Sequence, residues 1–197
     1  TNLIDRDRFF IAHQQKTVGN RISGKYKNTI AAMKNQSLLG IDTSYIDFNR
    51  KSNPFGTGPG SVNAFAPVAG SFGGAPTNSR LNRTRILTVS TFFEDTLKVN
   101  EKLRLVVGLR QDHIELDRGS LNDTTGGGGP FDREFNPFSW RVGAVYEIVP
   151  NSNLYAQISS GADPLGSDIF IVGKNQNFDL AKSQQWEAGI KSKFLDG

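Results

Sequence analysis

His13 and His113 are the only imidazoles in the 197 residues, and His113 follows a carboxylate, Asp112. A His–carboxylate pair is a common start for a metal site or a general base. In an extended strand, however, adjacent side chains leave opposite faces, so this pair does not converge. Cys is absent, which removes thiol catalysis, disulfides and Cys-based zinc sites. The glycine run at 126–129 lacks the Lys-Ser/Thr and the following helix of a phosphate loop and reads as a flexible connection. No Ser/His/Asp set sits on an elbow, and no carboxylate pair is spaced for acid–base work. The sequence therefore predicts no enzyme, no metal centre and no cofactor. What remains is the chemistry of binding. One set is ionic and recurs at alternate positions: Arg104, Arg110, Asp112, Arg141, Glu147, Glu187 and Lys191. The other lies in Gly/Pro-rich segments: Phe55, Phe65, Phe72, Phe131, Phe135 and Phe170, with Arg50, Lys51, Arg80, Arg83 and Arg118. Loops on a rigid scaffold commonly carry recognition. The plainer reading of these Phe is that they pack the loops onto one another.

The elements that position both sets show a period of two. Trp140, Val142, Ala144, Tyr146 and Ile148 alternate with Arg141, Gly143, Val145 and Glu147. Leu103, Leu105, Val107 and Leu109 alternate with Arg104, Val106, Gly108, Arg110 and Asp112. Such patterns describe two-faced strands. Weaker alternation follows at 18–25, 39–45, 87–94, 154–159 and 186–191, and an eighth strand is expected near 2–12, where charges cluster instead. Short connections are expected around 26–36, 97–101 and 149–152, with a helical turn conceivable at 28–35. Long ones are expected at 50–83, 118–136 and 162–182. Compact soluble domains seldom carry three such loops, whereas outer-membrane barrels combine short periplasmic turns with long extracellular loops.

Lys+Arg 23 against Asp+Glu 19 gives +4, too weak a bias to point to nucleic acid. No basic-then-apolar leader is present, so a secretory signal is expected to be absent or removed. No apolar run approaches the roughly 20 residues of a spanning helix. Strands of about 9–11 residues with aromatics near their ends do match a hydrocarbon band. Backbone groups in lipid must all be paired, so a spanning sheet has to close. The fold class expected is all-β: an antiparallel up-and-down transmembrane β-barrel segment of about eight strands, a single domain over 1–197. A soluble β-sandwich alternates in the same way and stays open at this point.

Several strings resemble the barrel of TonB-dependent siderophore receptors. Phe138-Ser139-Trp140-Arg141-Val142-Gly143-Ala144-Val145-Tyr146 is similar to that family's Phe-Ser-x-Arg-x-Gly-x-Val-Tyr strand. Leu154-Tyr155-Ala156 with Ser159 and Pro164, Gly108-Leu109-Arg110-Gln111-Asp112, Leu38-Leu39-Gly40-Ile41-Asp42 and Gln185-Trp186-Glu187-Ala188-Gly189-Ile190-Lys191 resemble four further family strands. Glu94-Asp95 stands where the family usually has Gln-Asp, and Gln111 where it has Tyr.

The resemblance implies a bacterial outer-membrane receptor taking up a ferric siderophore by energy-coupled transport. It implies a barrel of about 22 strands filled by a plug, so that this chain is an internal fragment without plug or remaining strands. Leu195-Asp196-Gly197 would then be a turn with more strands to follow. The implied partners are the ferric chelate, the plug of the same full-length chain, the TonB complex acting through the missing N-terminal part, and the lipid bilayer. The loop Phe and Arg would meet a flat, anionic or aromatic chelate, and the seven alternating ionic residues would face lumen and plug. The alternative is a complete small eight-stranded outer-membrane barrel with a structural or adhesion role.

Overall fold

Strand follows strand with no helix among the described residues, which in the computed structural model are 2–6, 8–56, 60–69, 79–120, 131–163 and 179–193. The strands are β1 (Leu3–Ile4), β2 (Arg8–Ile30), β3 (Met33–Gly56), β4 (Val62–Asn63) and β5 (Ser79–Lys98). They continue as β6 (Leu103–Ser120), β7 (Phe131–Phe135), β8 (Phe138–Val149), β9 (Ser152–Asp163) and β10 (Ala181–Ser192). One antiparallel sheet of eight strands runs β10-β9-β8-β6-β5-β3-β2, with β7 also on β6; β1 and β4 form a small separate ladder. Each long strand pairs with its neighbour in the chain, the up-and-down order expected of a barrel wall.

β7 and β8 are collinear. Ile114 faces Phe135 and Gln111 faces Phe138 in one unbroken register on β6. The ladder lapses at Pro137, which has no N–H to donate, although its carbonyl still accepts from the Asp112 N–H at 3.0 Å.

The short connections are tighter than the sequence suggests. Instead of a loop over 26–36 or a helical turn at 28–35, β2 and β3 pair down to Ile30 and Met33. Ala31 and Ala32 make the turn, with φ of 48° and 64°. Two positive φ values mark a type I′ hairpin turn, which favours Asn-Gly because alanine is strained there. Ala31→Asn with Ala32→Gly is expected to stabilise the hairpin by about 1 kcal/mol, read as a higher urea midpoint.

The long connections are shorter than expected for a related reason. β3 runs to Gly56, β5 starts at Ser79, β6 reaches Ser120, and β7 occupies 131–135. Past the apolar band the outer face becomes polar while apolar residues, Phe48, Ile86, Ile114 and Leu116, lie on the inner face instead, so pairing continues after the outward alternation has ended. The strand expected near 2–12 is divided: Leu3–Ile4 pairs with Val62–Asn63, and Arg8 onward belongs to β2.

The two faces of the sheet differ. One packs inward: Ile114 and Leu116 are 1% and 2% exposed, and Thr84, Ser90, Phe92 and Ile86 are buried on the same face. The other presents Ile22, Leu39, Ile41, Leu87, Leu105, Val142, Leu154 and Trp186 outward, with Trp186 75% exposed. A sandwich would cover this apolar face with a second sheet; the only other ladder among the described residues is β1/β4. The outward apolar residues therefore form the lipid-facing side of a barrel wall.

The apolar band crosses the strands obliquely. Leu39, Phe93, Leu109 and Trp140 are successive cross-strand partners. Towards the short turns, Leu39 and Phe93 are followed on their face by polar Ser37 and Asp95. On β6 the apolar run only begins at Leu109 and continues through Val107, Leu105 and Leu103. A level membrane crosses tilted strands in this way.

Candidate functional site

The inner face is built from odd positions of β2, β8, β9 and β10 and even positions of β3, β5 and β6, as the registers dictate. Alternation alone places Arg104, Arg110, Asp112, Arg141, Glu147, Glu187 and Lys191 on this one face.

At mid-height the face carries an ionic network that spans strands. Arg21 on β2 and Asp42 on β3 are cross-strand partners, and the guanidinium forks onto both carboxylate oxygens. Arg110 on β6 reaches over β5 to the same Asp42 at 3.0 Å, donates to Ser90 Oγ at 2.7 Å and holds Asp112 at 2.8 Å. Arg141 on β8 pairs with Glu94 on β5 at 3.0 Å. Asp42 and Asp112 lie deep and the guanidinium of Arg21 stands over Asp42: the Asp42 side chain is 17% exposed and that of Arg21 63%. Further round, Glu187 accepts from Tyr155 Oη at 2.9 Å and Gln157 Nε2 at 2.7 Å.

Glycines make room for the large members of this network. A Cβ at Gly108 would lie 2.8 Å from Arg141 Cγ and Nε, and one at Gly189 would lie 2.8 Å from Tyr155 Oη. The long side chains thus lie flat against the wall. A cleft of about 490 Å³ remains, lined in part by Arg21, Phe92, Glu94, Arg110 and Arg141.

Asp42 is the acid shared by two guanidiniums. Asp42→Asn is expected to destabilise the wall by about 1 kcal/mol, the low end for charged hydrogen bonds because solvent screens the exposed Arg21. The check is the temperature at which the folded band of the full-length protein disappears, with Asp42→Glu recovering part of the loss.

Towards the long connections the inner face turns apolar. Ile86, Ile114, Leu116 and Phe135 form a buried cluster, with Ile46 and Leu180 against it. Arg118 is buried at this level, and His13, opposite Arg50, rests its ring 5.1 Å from that of Phe48. Towards the short turns the face becomes cationic, with Lys34, Lys98 and Arg104 in adjacent register positions. Lys98 holds Glu101, in the β5–β6 turn, at 2.5 Å and keeps its carboxyl below the ordinary value, with Lys34 adding to the effect.

The residues expected on ligand-binding loops are distributed otherwise. Arg50 and Arg118 are on strands and face inward. Arg83 is on the outer face of β5, where Asp47 takes it in a fork at 2.9 and 2.6 Å. Beyond the apolar band the strand continues, so Arg83 stands on β5 rather than in a connection and is paired within the wall. Phe135 belongs to the buried cluster. Phe65 stands 81% exposed just after β4. The backbones of Phe55 and Phe131 lie in β3 and β7, with side chains outside the described set; Phe72 and Phe170 lie outside the described residues altogether. His113 points outward from β6, its ring nitrogens on Asn136 and Glu115 at 2.7 and 3.2 Å, away from inward-facing Asp112.

Arg21, Asp42 and Glu94 are central to the network, yet none is among the ionic residues expected on the inner face; Asp42 and Glu94 stand out only within strings that resemble the family's strands. The alternation puts all three on one face, and their meeting depends on register.

Comparison with known proteins places this geometry. A family model described as TonB dependent receptor-like, beta-barrel, matches residues 2–197. The catecholate siderophore receptor Fiu of Escherichia coli K12 is 25% identical over 212 residues, covering 92% of this chain and 28% of that protein. The metal-pseudopaline receptor CntO of Pseudomonas aeruginosa is 29% identical over 123 residues, 59% of this chain and 16% of that protein. The chain thus spans well under a third of the length of these curated relatives. Among solved structures, the closed form of Fiu superposes with a TM-score of 0.77 at 18% identity, covering 93% of this chain and 30% of that one. BauA, the ferric preacinetobactin receptor of Acinetobacter baumannii, gives 0.72 at 18% identity, covering 98% and 29%. These likenesses fix the fold.

Proposed function

We propose that this chain, which belongs to the TonB dependent receptor-like β-barrel family of the bacterial outer membrane, forms about a third of the wall of a receptor that imports a ferric siderophore. The observation that carries the reading is the partition of the sheet: an oblique apolar band outside and a hydrated ionic face inside, over strands matching that family end to end. Ligand would be captured where the long connections lie, with Arg50, Arg118 and Phe65 as the described candidates. The inner face, with its charges paired within the wall at mid-height, would line the route past a plug of the same full-length chain, moved by the TonB complex. No catalytic step enters this reading.

Chelates borne by the relatives' names supply the first ligands to try. Cells lacking their own siderophore receptors and carrying the full-length protein are expected to accumulate radioactive iron from a ferric catecholate, and to lose this when the proton-motive force is collapsed. Uptake that is absent for every ferric chelate tried, or insensitive to collapse, would remove the proposal. A complete small barrel with a structural role is disfavoured, because among the described residues the sheet ends on β2 and β10 without pairing them.

A further inference from the structure

One carboxylate stands on the outward face where the neighbouring rows bring it no cation. The registers place Tyr26 on β2, Ser37 on β3, Asp95 on β5, Val107 on β6 and Val142 on β8 in one outward row. Asp95 is the only ionic residue in it. The next row towards the short turns, from Asn28 and Asn35 to Leu105 and Ala144, has no charge, and neither has the row on the other side, from Gly24 to Trp140. Phe93 and Leu97 flank Asp95 along its own strand. The wall gives this carboxylate hydrogen bonds only: Asn35 Nδ2 donates to one oxygen and Ser37 Oγ to the other, each at 2.7 Å. Asn35 is 5% exposed, whereas Asp95 is half-buried and open on its outward side. In the adjoining strand Asn28 Oδ1 is buried and accepts no hydrogen bond. An ionised side chain on a lipid-facing surface is costly unless a partner meets it.

We infer that Asp95, held by Asn35 and Ser37, binds the primary ammonium of an aminophospholipid headgroup, the chemistry of phosphatidylethanolamine, in the leaflet at the short-turn end. The position supports a headgroup. Leu39 and Phe93 end the apolar band on β3 and β5 one row away, and Tyr26, 66% exposed in the row of Asp95, is an aromatic of the kind that sits at the membrane interface. The charge supports an ammonium that carries N–H groups. It forms a charge-assisted hydrogen bond with a carboxylate, which the quaternary ammonium of a choline lipid has no N–H to make. A hard divalent cation needs several oxygen ligands and more charge than one carboxylate supplies. The amide of Asn28, turned outward, adds a second acceptor, and the exposed hydroxyl of Tyr26 is a donor for the lipid phosphate. The inference rests on the outward face meeting lipid and is independent of the solute the protein carries.

The test is native mass spectrometry of the full-length protein in detergent micelles that hold equal amounts of phosphatidylethanolamine and phosphatidylcholine with the same acyl chains. The unaltered protein is expected to retain the ethanolamine lipid about fivefold over the choline lipid, the scale of one solvent-screened ion pair. Asp95→Asn is expected to bring the ratio to about one and Asp95→Glu to keep most of the preference. Asp117→Asn, at the opposite edge of the outward face, is expected to leave it unchanged. Heat-sensitive gel mobility shows that each variant is folded. Equal retention of the two lipids by the unaltered protein would overturn the inference without recourse to any variant. So would a preference that survives in folded Asp95→Asn, or one lost equally in Asp117→Asn. Each of these results leaves the uptake reading standing, since no ferric chelate enters the measurement.

Discussion

Ala144→Arg is expected to cost the barrel about 2–4 kcal/mol of folding free energy, the penalty of a guanidinium near the bilayer midplane on a lipid-facing strand. Ala144 sits mid-strand on the outer face of β8, between Leu105 of β6 and Ala156 of β9, with Ala188 of β10 beyond. Nothing along that row offers a carboxylate. Val106→Arg provides the contrast, since Val106 is next to Leu105 in the chain but faces inward, beside Thr96 and Gly143. It is expected to fold with near-normal yield. The measurement is the heat-sensitive gel mobility of the full-length protein refolded into vesicles at increasing urea. Equal loss from both variants would refute the assignment of the faces.

Gly40→Ala is expected to be the second large effect, about 1–3 kcal/mol, the range for forcing a methyl into a packed site. A Cβ there would lie 2.3 Å from Phe92 Cζ and 2.8 Å from the carbonyl oxygen of Ile22. The ring has little space to retreat: Phe92 is buried, and the Arg21 guanidinium lies over it, 5.2 Å from the centroid. The carbonyl belongs to the neighbouring strand and moves only with the β2–β3 ladder. Gly24→Ala is the control, since a Cβ there meets nothing within 4 Å. A lower urea midpoint for Gly40→Ala, restored by adding Phe92→Leu and absent in Gly24→Ala, fits this account. Equal midpoints for the two single variants would refute it.

Both expectations come from the same residues that made the fold legible. In β6 and β8 apolar and ionic residues alternate cleanly, because one side meets hydrocarbon and the other an ionic interior. Any slip by one position would put Arg104 or Arg141 into lipid. At Asp47, Asn49 and Arg83 the strands have left the band: the outer face is polar and the apolar residues Ile46, Phe48 and Ile86 lie on the inner face, so the pattern changes sides while the pairing continues. That is why Arg83 reads as a loop residue and is in fact held by Asp47 in the wall. The Ala31–Ala32 turn was hidden for a different reason: its sequence has neither Asn nor Gly, and two long strands hold it in a strained conformation.

The sequence by itself determined the period of the strands, which face is greasy and which ionic, and the resemblance to a receptor barrel. These follow from local rules, since each side chain's direction depends only on its place in an extended chain. Tertiary structure alone decided that Arg21 and Arg110, 89 positions apart, share Asp42, that Phe92 fills the space over Gly40, and that Lys34, Lys98 and Arg104 fall in line. Such meetings depend on the register between strands, which hydrogen-bonded hairpins and their turns set over long sequence separations and which no single strand encodes.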